Sequence, residues 1–419
     1  ANDFVVDTSS MIHGVKRIDG FYRFMSQDSD TNHFNYFKNK NSCDAILEAL
    51  VPTETTVKSL YTKEVYANGQ RGILLDKLSM AGAIYKEPEI ITRDVMILIP
   101  GIMGSTLSAG GKEQWIQMRA LNKGAIVDKL DIDANNVEAS GVVEKFYKQF
   151  ADHFSSKYDV VSYEFDWRKS VSDAAVGLEA LTKRMLKGNV NVHIVAHSMG
   201  GLLTRQFMMD FPETWNAFIK PKNNKFVMLG TPWLGSYLIM EVLTGHSRRV
   251  KQLAMIDFRN DKEDLLEIFW KFPGVFELLP IEEITDRKFW TATFWNKLKT
   301  KAKLDIIPNL ADNKKSLSDF SEYRSNVLSF LKDLDSDEKS DFFDKIYYVC
   351  GKADKTVCDY SFKNRFLSRR KKLIYKATSH GDGSVTWKTG IPKQLLKSNN
   401  LYYCNTSHGE LANEPSLFD

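Results

Sequence analysis

Val190-Asn191-Val192-His193-Ile194-Val195-Ala196-His197-Ser198-Met199-Gly200-Gly201 is the stretch around which the chain is organised. Val190 to Val195 is a short run rich in β-branched residues and predicts a buried strand. Leu202 to Met209 has helical composition. A strand, a tight turn with a serine at its tip and a helix form the setting of a nucleophile elbow. Such a turn strains the serine backbone and lifts Oγ clear of the sheet. It needs small residues two positions either side, because a larger side chain would strike the neighbouring strand or helix. Ala196 and Gly200 meet that need, and Ala196 adds only a methyl group to the commoner glycine. By itself the motif also fits an ordinary strand-to-helix turn.

Upstream, Asp94-Val95-Met96-Ile97-Leu98-Ile99 is a continuous apolar run, as expected of a strand buried on both faces of a parallel sheet. It leads into Pro100-Gly101-Ile102-Met103-Gly104-Ser105. A glycine-rich loop at that position can aim one backbone N–H at a developing oxyanion, and the residue after the serine supplies the second. Position assigns these donors to Met103 and Met199. Between the two loops the periodicity predicts a helix over 142–154, a strand over 158–165 and a helix carrying Leu178, Leu181 and Met185. Further strands are expected at 225–230, 346–351 and 401–404. The alternation implies an α/β fold with a mostly parallel, doubly wound sheet.

Between Thr231 and Asp344 the interval is too long for one connection. Residues 262–272 and 314–334 have helical composition, so a cap or lid is expected at about 236–344 of a hydrolase domain spanning 91–419. Trp233, Leu234, Tyr237 and Met240, then Phe269, Trp270, Phe272 and Phe276, either form the cap's own core or line a mouth for acyl chains. Trp233 and Leu234 are the candidate substrate contacts. Residues 1–90 are polar and aromatic and suggest an N-terminal module, with a strand at 57–66 and a turn at 67–72.

A serine nucleophile needs a base, and the base an orienting acid, in the chain order Ser, Asp/Glu, His for this fold. Of the eight histidines, His246, His380 and His408 follow Ser198. His246 falls in the cap. His408 directly follows the last expected strand, where this fold delivers its base. Two acids compete: Asp354, after the strand ending at Gly351, and Asp382, in His380-Gly381-Asp382-Gly383-Ser384-Val385. Spacing does not choose between them.

Five segments stand in one order: Pro100–Ser105, Tyr163-Glu164-Phe165-Asp166-Trp167-Arg168, Ala196–Gly201, Gly230-Thr231-Pro232-Trp233-Leu234-Gly235-Ser236 and Gly381–Val385. Together, over about residues 91–411, they resemble the lecithin:cholesterol acyltransferase-like family, which includes lysosomal phospholipase A2 and phospholipid:diacylglycerol acyltransferases. Phe272-Pro273-Gly274-Val275-Phe276-Glu277-Leu278-Leu279-Pro280 is a weaker match. The resemblance implies an α/β-hydrolase fold, Asp382 as the acid, and the backbone of Met103 and Met199 as oxyanion donors. It implies a serine-dependent lipid acyl hydrolase or acyltransferase of phospholipase A or lipase type, acting on ester lipids at a membrane surface. Phe165 interrupts the family's Tyr-Asp-Trp-Arg, and the lid disulfide of secreted members has no cysteine counterpart here. The chain ends 11 residues after His408, which suggests a fragment, with further domains possible.

Composition narrows the alternatives. A net charge of +4 does not argue for nucleic acid. No apolar run reaches the ~18 residues of a membrane span. Four cysteines lack a zinc-ligand pattern and are too few for a disulfide scaffold. A cytoplasmic or membrane-peripheral setting follows as the expectation. The chain opens at Ala1 without a charged-then-apolar leader, as a processed, trimmed or partial chain would. No metal, nucleotide or other cofactor is expected, since no phosphate-binding glycine pattern accompanies Gly200-Gly201. Lys363 to Lys372 is a dense basic run, read either as a solvated hairpin or as a contact for anionic lipid. An esterase for small soluble esters and a non-catalytic module on a hydrolase fold are the other classes that fit.

Overall fold

The computed structural model describes residues 91–282, 287–310, 313–335, 342–365 and 368–418, together with two short strands, Phe21–Arg23 and Thr62–Glu64. Two compact units divide the chain, Ala1–Ser79 and Met80–Asp419. In the first, the two short strands pair antiparallel. The strand expected at 57–66 overlaps Thr62–Glu64. The turn at 67–72 and the rest of the expected N-terminal module lie outside the described residues.

The second unit is built on six parallel strands: β1 (Val95–Ile99), β2 (Asp159–Ser162), β3 (Val192–His197), β4 (Lys225–Leu229), β5 (Ile346–Cys350) and β6 (Leu401–Tyr403). Their order across the sheet is β2-β1-β3-β4-β5-β6. Chain direction across the sheet reverses between β1 and β3, and ligands of such sheets bind beyond the strand ends at that switch point. Ile99 pairs with Ala196 there, which puts the loop after β1 beside the turn after β3. Sequence therefore brings the glycine loop and the elbow together through register alone.

The two faces of the sheet follow the period of two. Met96, Leu98, Val160, Val195, Leu229 and Val349 face α1 (Glu144–Phe154), meeting Tyr147, Phe150 and Ala151. Val95, Ile97, Ile99, Val161, Ile194 and Ala196 face the other way. There they join the core that holds α2 (Val171–Leu186) and the elbow helix α3 (Met199–Asp210). Burial on both faces explains why β1 reads as an unbroken apolar run.

Around the sheet, some details differ from the sequence expectations. Helix α1 starts at Glu144, because Val142 ends a strand, Val137–Val142, that pairs antiparallel with Ser105–Ala109. With Lys112–Trp115 these form a small antiparallel sheet, built of short, half-polar strands that gave no clear alternation. β2 stops at Ser162, where the chain leaves the sheet to reach Ser105: the Phe165 N–H donates to Ser105 Oγ (3.0 Å).

Between β4 and β5 lie helices Leu238–Leu243, Arg248–Ile256, Lys262–Phe269, Pro273–Phe276, Ala292–Ala302 and α4 (Lys314–Leu334). The helix expected over 262–272 ends at Phe269, and Pro273 opens a separate short helix, Pro273–Phe276, at the position where its missing N–H costs nothing. Trp233, Tyr237, Met240, Phe269, Trp270, Phe272 and Phe276 are all buried in the core cluster that also holds the sheet. These residues form core rather than a mouth. The basic run lies on an antiparallel hairpin, Thr356–Arg365 with Ser368–Thr378. No described helix is long and apolar enough to cross a membrane.

Candidate active site

Ser198 sits between the end of β3 and the first turn of α3, with φ 54° and ψ −120°. A non-glycine residue pays for positive φ, and here neighbours on all sides hold it. The Ser198 N–H donates to the Leu229 carbonyl (2.9 Å) and the Ser198 carbonyl accepts from Gly201 (3.0 Å). The small-residue requirement has visible causes. A Cβ at Gly200 would come within 2.7 Å of the carbonyl oxygens of Ile99 and Pro100. One at Gly230, where φ is +58°, would meet Asp382 Oδ2 at 2.8 Å and His408 Nδ1 at 3.0 Å.

His408 opens a helical turn, His408–Asn413, beyond β6. Its Nε2 lies 2.8 Å from Ser198 Oγ and its Nδ1 2.7 Å from Asp382 Oδ2. The His408 N–H also donates to the Asp382 carbonyl (2.9 Å), so backbone and side chain hold the pair in one geometry. Asp382 is buried, and its Oδ1 accepts from the N–H groups of Ser384 (2.9 Å) and Val385 (2.8 Å). Burial pushes the carboxyl up. The His408 imidazole and these two backbone donors outweigh it and hold Asp382 below the usual carboxylate range. Asp354 is exposed on a bend. His246 bonds within the cap to Thr244, and His380 packs edge-on against Trp387. Of the candidate acids and bases, Asp382 and His408 are the two brought into line with Ser198.

Met103 adopts φ 60° and Met199 is the first residue of α3, where a helix N–H has no intrahelical partner. Among the described residues neither N–H has an acceptor in the protein. Met199 follows Ser198 directly, and Met103 lies on the loop whose Gly101 abuts Ser198; free donors on these two segments are what an oxyanion hole requires. The loop bearing Met103 is braced from outside: Trp115 Nε1–H donates to the Met103 carbonyl (2.9 Å) and Trp167 Nε1–H to the Ser105 carbonyl (3.2 Å). Arg168, fully buried, pairs with Asp166 (2.6 Å) and donates to the carbonyls of Leu130 and Asp131. The Tyr163–Arg168 segment thus acts as scaffold, and Phe165 is buried within it. Trp233 packs in the core with the Arg205 guanidinium 5.3 Å from its ring, and Leu234 is half-buried.

Sequence reasoning missed one part of the site. The Gly101 N–H donates to Tyr147 Oη (2.9 Å), and Tyr147 Oη lies 2.9 Å from His197 Nδ1. His197 Nε2 in turn lies 2.9 Å from the His408 carbonyl oxygen. Burial and the neighbouring His408 push His197 down to about 3, so it is neutral. Burial also pushes the Tyr147 phenol up, so it keeps its proton. A backbone N–H can only donate and a carbonyl only accept, which fixes every direction. The Tyr147 O–H donates to Nδ1, and the His197 Nε2–H donates to the His408 carbonyl. This chain ties the glycine loop, the elbow and the base loop into one unit. Its available signal was a phenol on the buried stripe of α1, where a hydroxyl needs a partner.

Tyr147→Phe is expected to leave the Gly101 N–H and the His197 Nδ1 unpaired in a dry interior. The expected cost is about 2 kcal/mol or more of stability, with kcat lowered through a looser glycine loop. Thermal melting beside steady-state kinetics checks both; an unchanged melting temperature would refute the bracing role.

A sheet with the order 2-1-3-4-5-6 and a strained serine elbow at its switch point defines the α/β-hydrolase class. The family model described as lecithin:cholesterol acyltransferase matches residues 133–375, more than half of the chain. The chain belongs to that family. The match includes Ser198 and the cap and stops short of Asp382 and His408. Among curated proteins, the lysosomal phospholipase A and acyltransferase of Canis lupus familiaris is 28% identical over 122 residues, covering 27% of this chain and 29% of that protein. Its Homo sapiens counterpart is 27% identical over 122 residues, covering 27% and 28%. The matched stretch spans less than a third of these relatives. A solved chain of the Tle4-Tli4 complex superposes with a TM-score of 0.51 at 12% identity, over 78% of this chain and 97% of that one. At that identity the likeness concerns fold.

Proposed function

We propose that the chain is a serine-dependent acyl hydrolase or acyltransferase that cleaves ester lipids through an acyl-enzyme. The observation that carries the reading is the line Asp382–His408–Ser198, at 2.7 and 2.8 Å. In the proposed reaction Ser198 Oγ attacks the ester carbonyl while His408 Nε2 takes its proton. Asp382 keeps Nδ1–H in place and stabilises the imidazolium. The carbonyl oxygen becomes an oxyanion facing the N–H groups of Met103 and Met199, each contributing about 3 kcal/mol. Collapse expels the alcohol, which leaves with the proton from His408. Water or a second alcohol then takes the acyl group by the same steps reversed.

Ester lipids as substrates are supported by membership of the family and by the phospholipase and acyltransferase names of the matched relatives. Action at a membrane surface is part of the proposal. Phe258, 78% exposed, and Met255, 50% exposed, are proposed as apolar contacts with it. Leu234 is proposed to contact the acyl chain, with Trp233 behind it as support.

The test is mass spectrometry of phospholipid incubated with the protein, with and without a primary alcohol. Lysophospholipid and free fatty acid are the expected products without alcohol, and with it the fatty acyl ester of that alcohol appears beside the lysophospholipid. No change in the lipid, alongside turnover of a short soluble ester, would exclude the lipid reading.

A further inference from the structure

We propose that the hairpin Thr356–Arg365/Ser368–Thr378 is a docking element for anionic bilayers. It would hold the Ser198 end of the sheet against the lipid that the proposed reaction consumes, and in that respect it rests on that reading. Residues 356–378 carry seven basic side chains and one acidic, a formal +6, whereas the whole chain carries +4. The acid, Asp359, is already neutralised by Arg287 and by Lys376 (3.3 Å). Positive charge therefore concentrates toward the tip.

The register there opposes like charges. Lys363 lies directly across from Lys372, and Asn364 across from Lys371. Directly opposed like charges destabilise an antiparallel pair, and among the described residues Lys363, Lys371 and Lys372 make no ion pair. Lys363 and Lys372 are exposed. Lys301, on the adjoining helix, places its ammonium 4.2 Å from the Phe362 ring and adds to the same field. The opposed lysines give the folded hairpin no ion pair among the described residues, whereas a polyanionic surface would neutralise them.

The rest of the hairpin is fastened to the domain. Leu373 and Tyr360 are buried, and the Tyr375 hydroxyl donates to the Met240 carbonyl in the cap (3.2 Å). At the base, Thr356 Oγ1 accepts from the Gly383 N–H (2.8 Å), one residue past Asp382. With a rise of about 3.3 Å per residue, Lys363 stands roughly 23 Å along the strand from that bond. A charged arm rooted in the acid loop sets distance and orientation toward a flat surface. A single-stranded nucleic acid would want exposed aromatic faces for stacking, and Tyr360 and Phe362 are instead engaged with Arg287 and Lys301. A bilayer asks only for charge.

The experiment is co-sedimentation of the full chain with phosphatidylcholine vesicles, with and without a minority of phosphatidylserine. The parent should partition onto the anionic vesicles, less so as salt rises. Each basic residue near such a surface contributes about fivefold, so the triple variant Lys363→Gln, Lys371→Gln, Lys372→Gln should lose about hundredfold. Its turnover of a monomeric soluble ester should match the parent, which certifies the fold. Ser198→Ala should bind vesicles like the parent. Anionic binding without any lipid turnover by the parent would keep the hairpin and remove the reaction. Equal partition onto neutral and anionic vesicles, an unchanged triple variant, or tighter binding to DNA or an acidic protein than to anionic vesicles would overturn the docking element.

Discussion

Ser198→Ala should lower ester turnover by about 10⁶, the scale found when a triad serine is removed, and should abolish labelling by a serine-directed phosphonate. The substitution deletes one oxygen, whose partner at 2.8 Å is His408 Nε2. The rest of the turn stays as it is. The elbow is held by backbone bonds to Leu229 and Gly201, and an alanine at φ 54° carries the same strain as the serine it replaces. Melting temperature should therefore change little, which separates loss of chemistry from loss of fold. Intact-mass measurement after phosphonate treatment reads the first, and calorimetry the second. An adduct that persists in the variant, or turnover within about a hundredfold of the parent, would place the nucleophile elsewhere.

What the sequence made legible follows from where physical constraints are local. β1 is apolar on both faces because both faces are covered, so composition alone marks it; β3 is apolar on one face and carries His193 and His197 on the other. The elbow is legible because its small residues are a local pattern, and Gly200 answers a clash with the carbonyls of Ile99 and Pro100 at the end of the adjoining strand. His408 is legible because few histidines follow Ser198 and one directly follows a strand. Tyr147 was not. Its partners, Gly101 and His197, lie 46 and 50 residues away in the chain, and no local pattern encodes a bond at that separation. Glu277 is similar: it sits in the cap segment and caps α2 through Ser170 (2.6 Å) and the Val171 N–H (2.8 Å), more than a hundred residues back. Density of aromatics in the cap could not separate core from mouth, because both need the same residues. Only burial distinguishes them.

The acid is where local reading stalled, and there the structure makes the alternatives unequal. Asp382 Oδ1 accepts two backbone N–H groups, from Ser384 and Val385, while Oδ2 faces His408 Nδ1. In Asp382→Asn the two fixed donors demand an oxygen at the Oδ1 position. The amide nitrogen must then face Nδ1, and since it donates, Nδ1 must become the acceptor. The imidazole proton moves to Nε2, which points at Ser198 Oγ and no longer accepts its proton. Turnover should fall by about 10⁴, the scale of a wrong tautomer, with the fold kept because every bond retains a donor and an acceptor. Asp354 is exposed, flanked by Lys352 and Lys355, and none of its bonds reaches His408. Asp354→Asn should stay within about tenfold of the parent, consistent with a surface substitution. Single-turnover kinetics on a soluble ester compares the two variants free of lipid binding. If Asp354→Asn were instead the crippled one, the 2.7 Å contact of Asp382 would be structural, and the acid would be supplied from the end of β5.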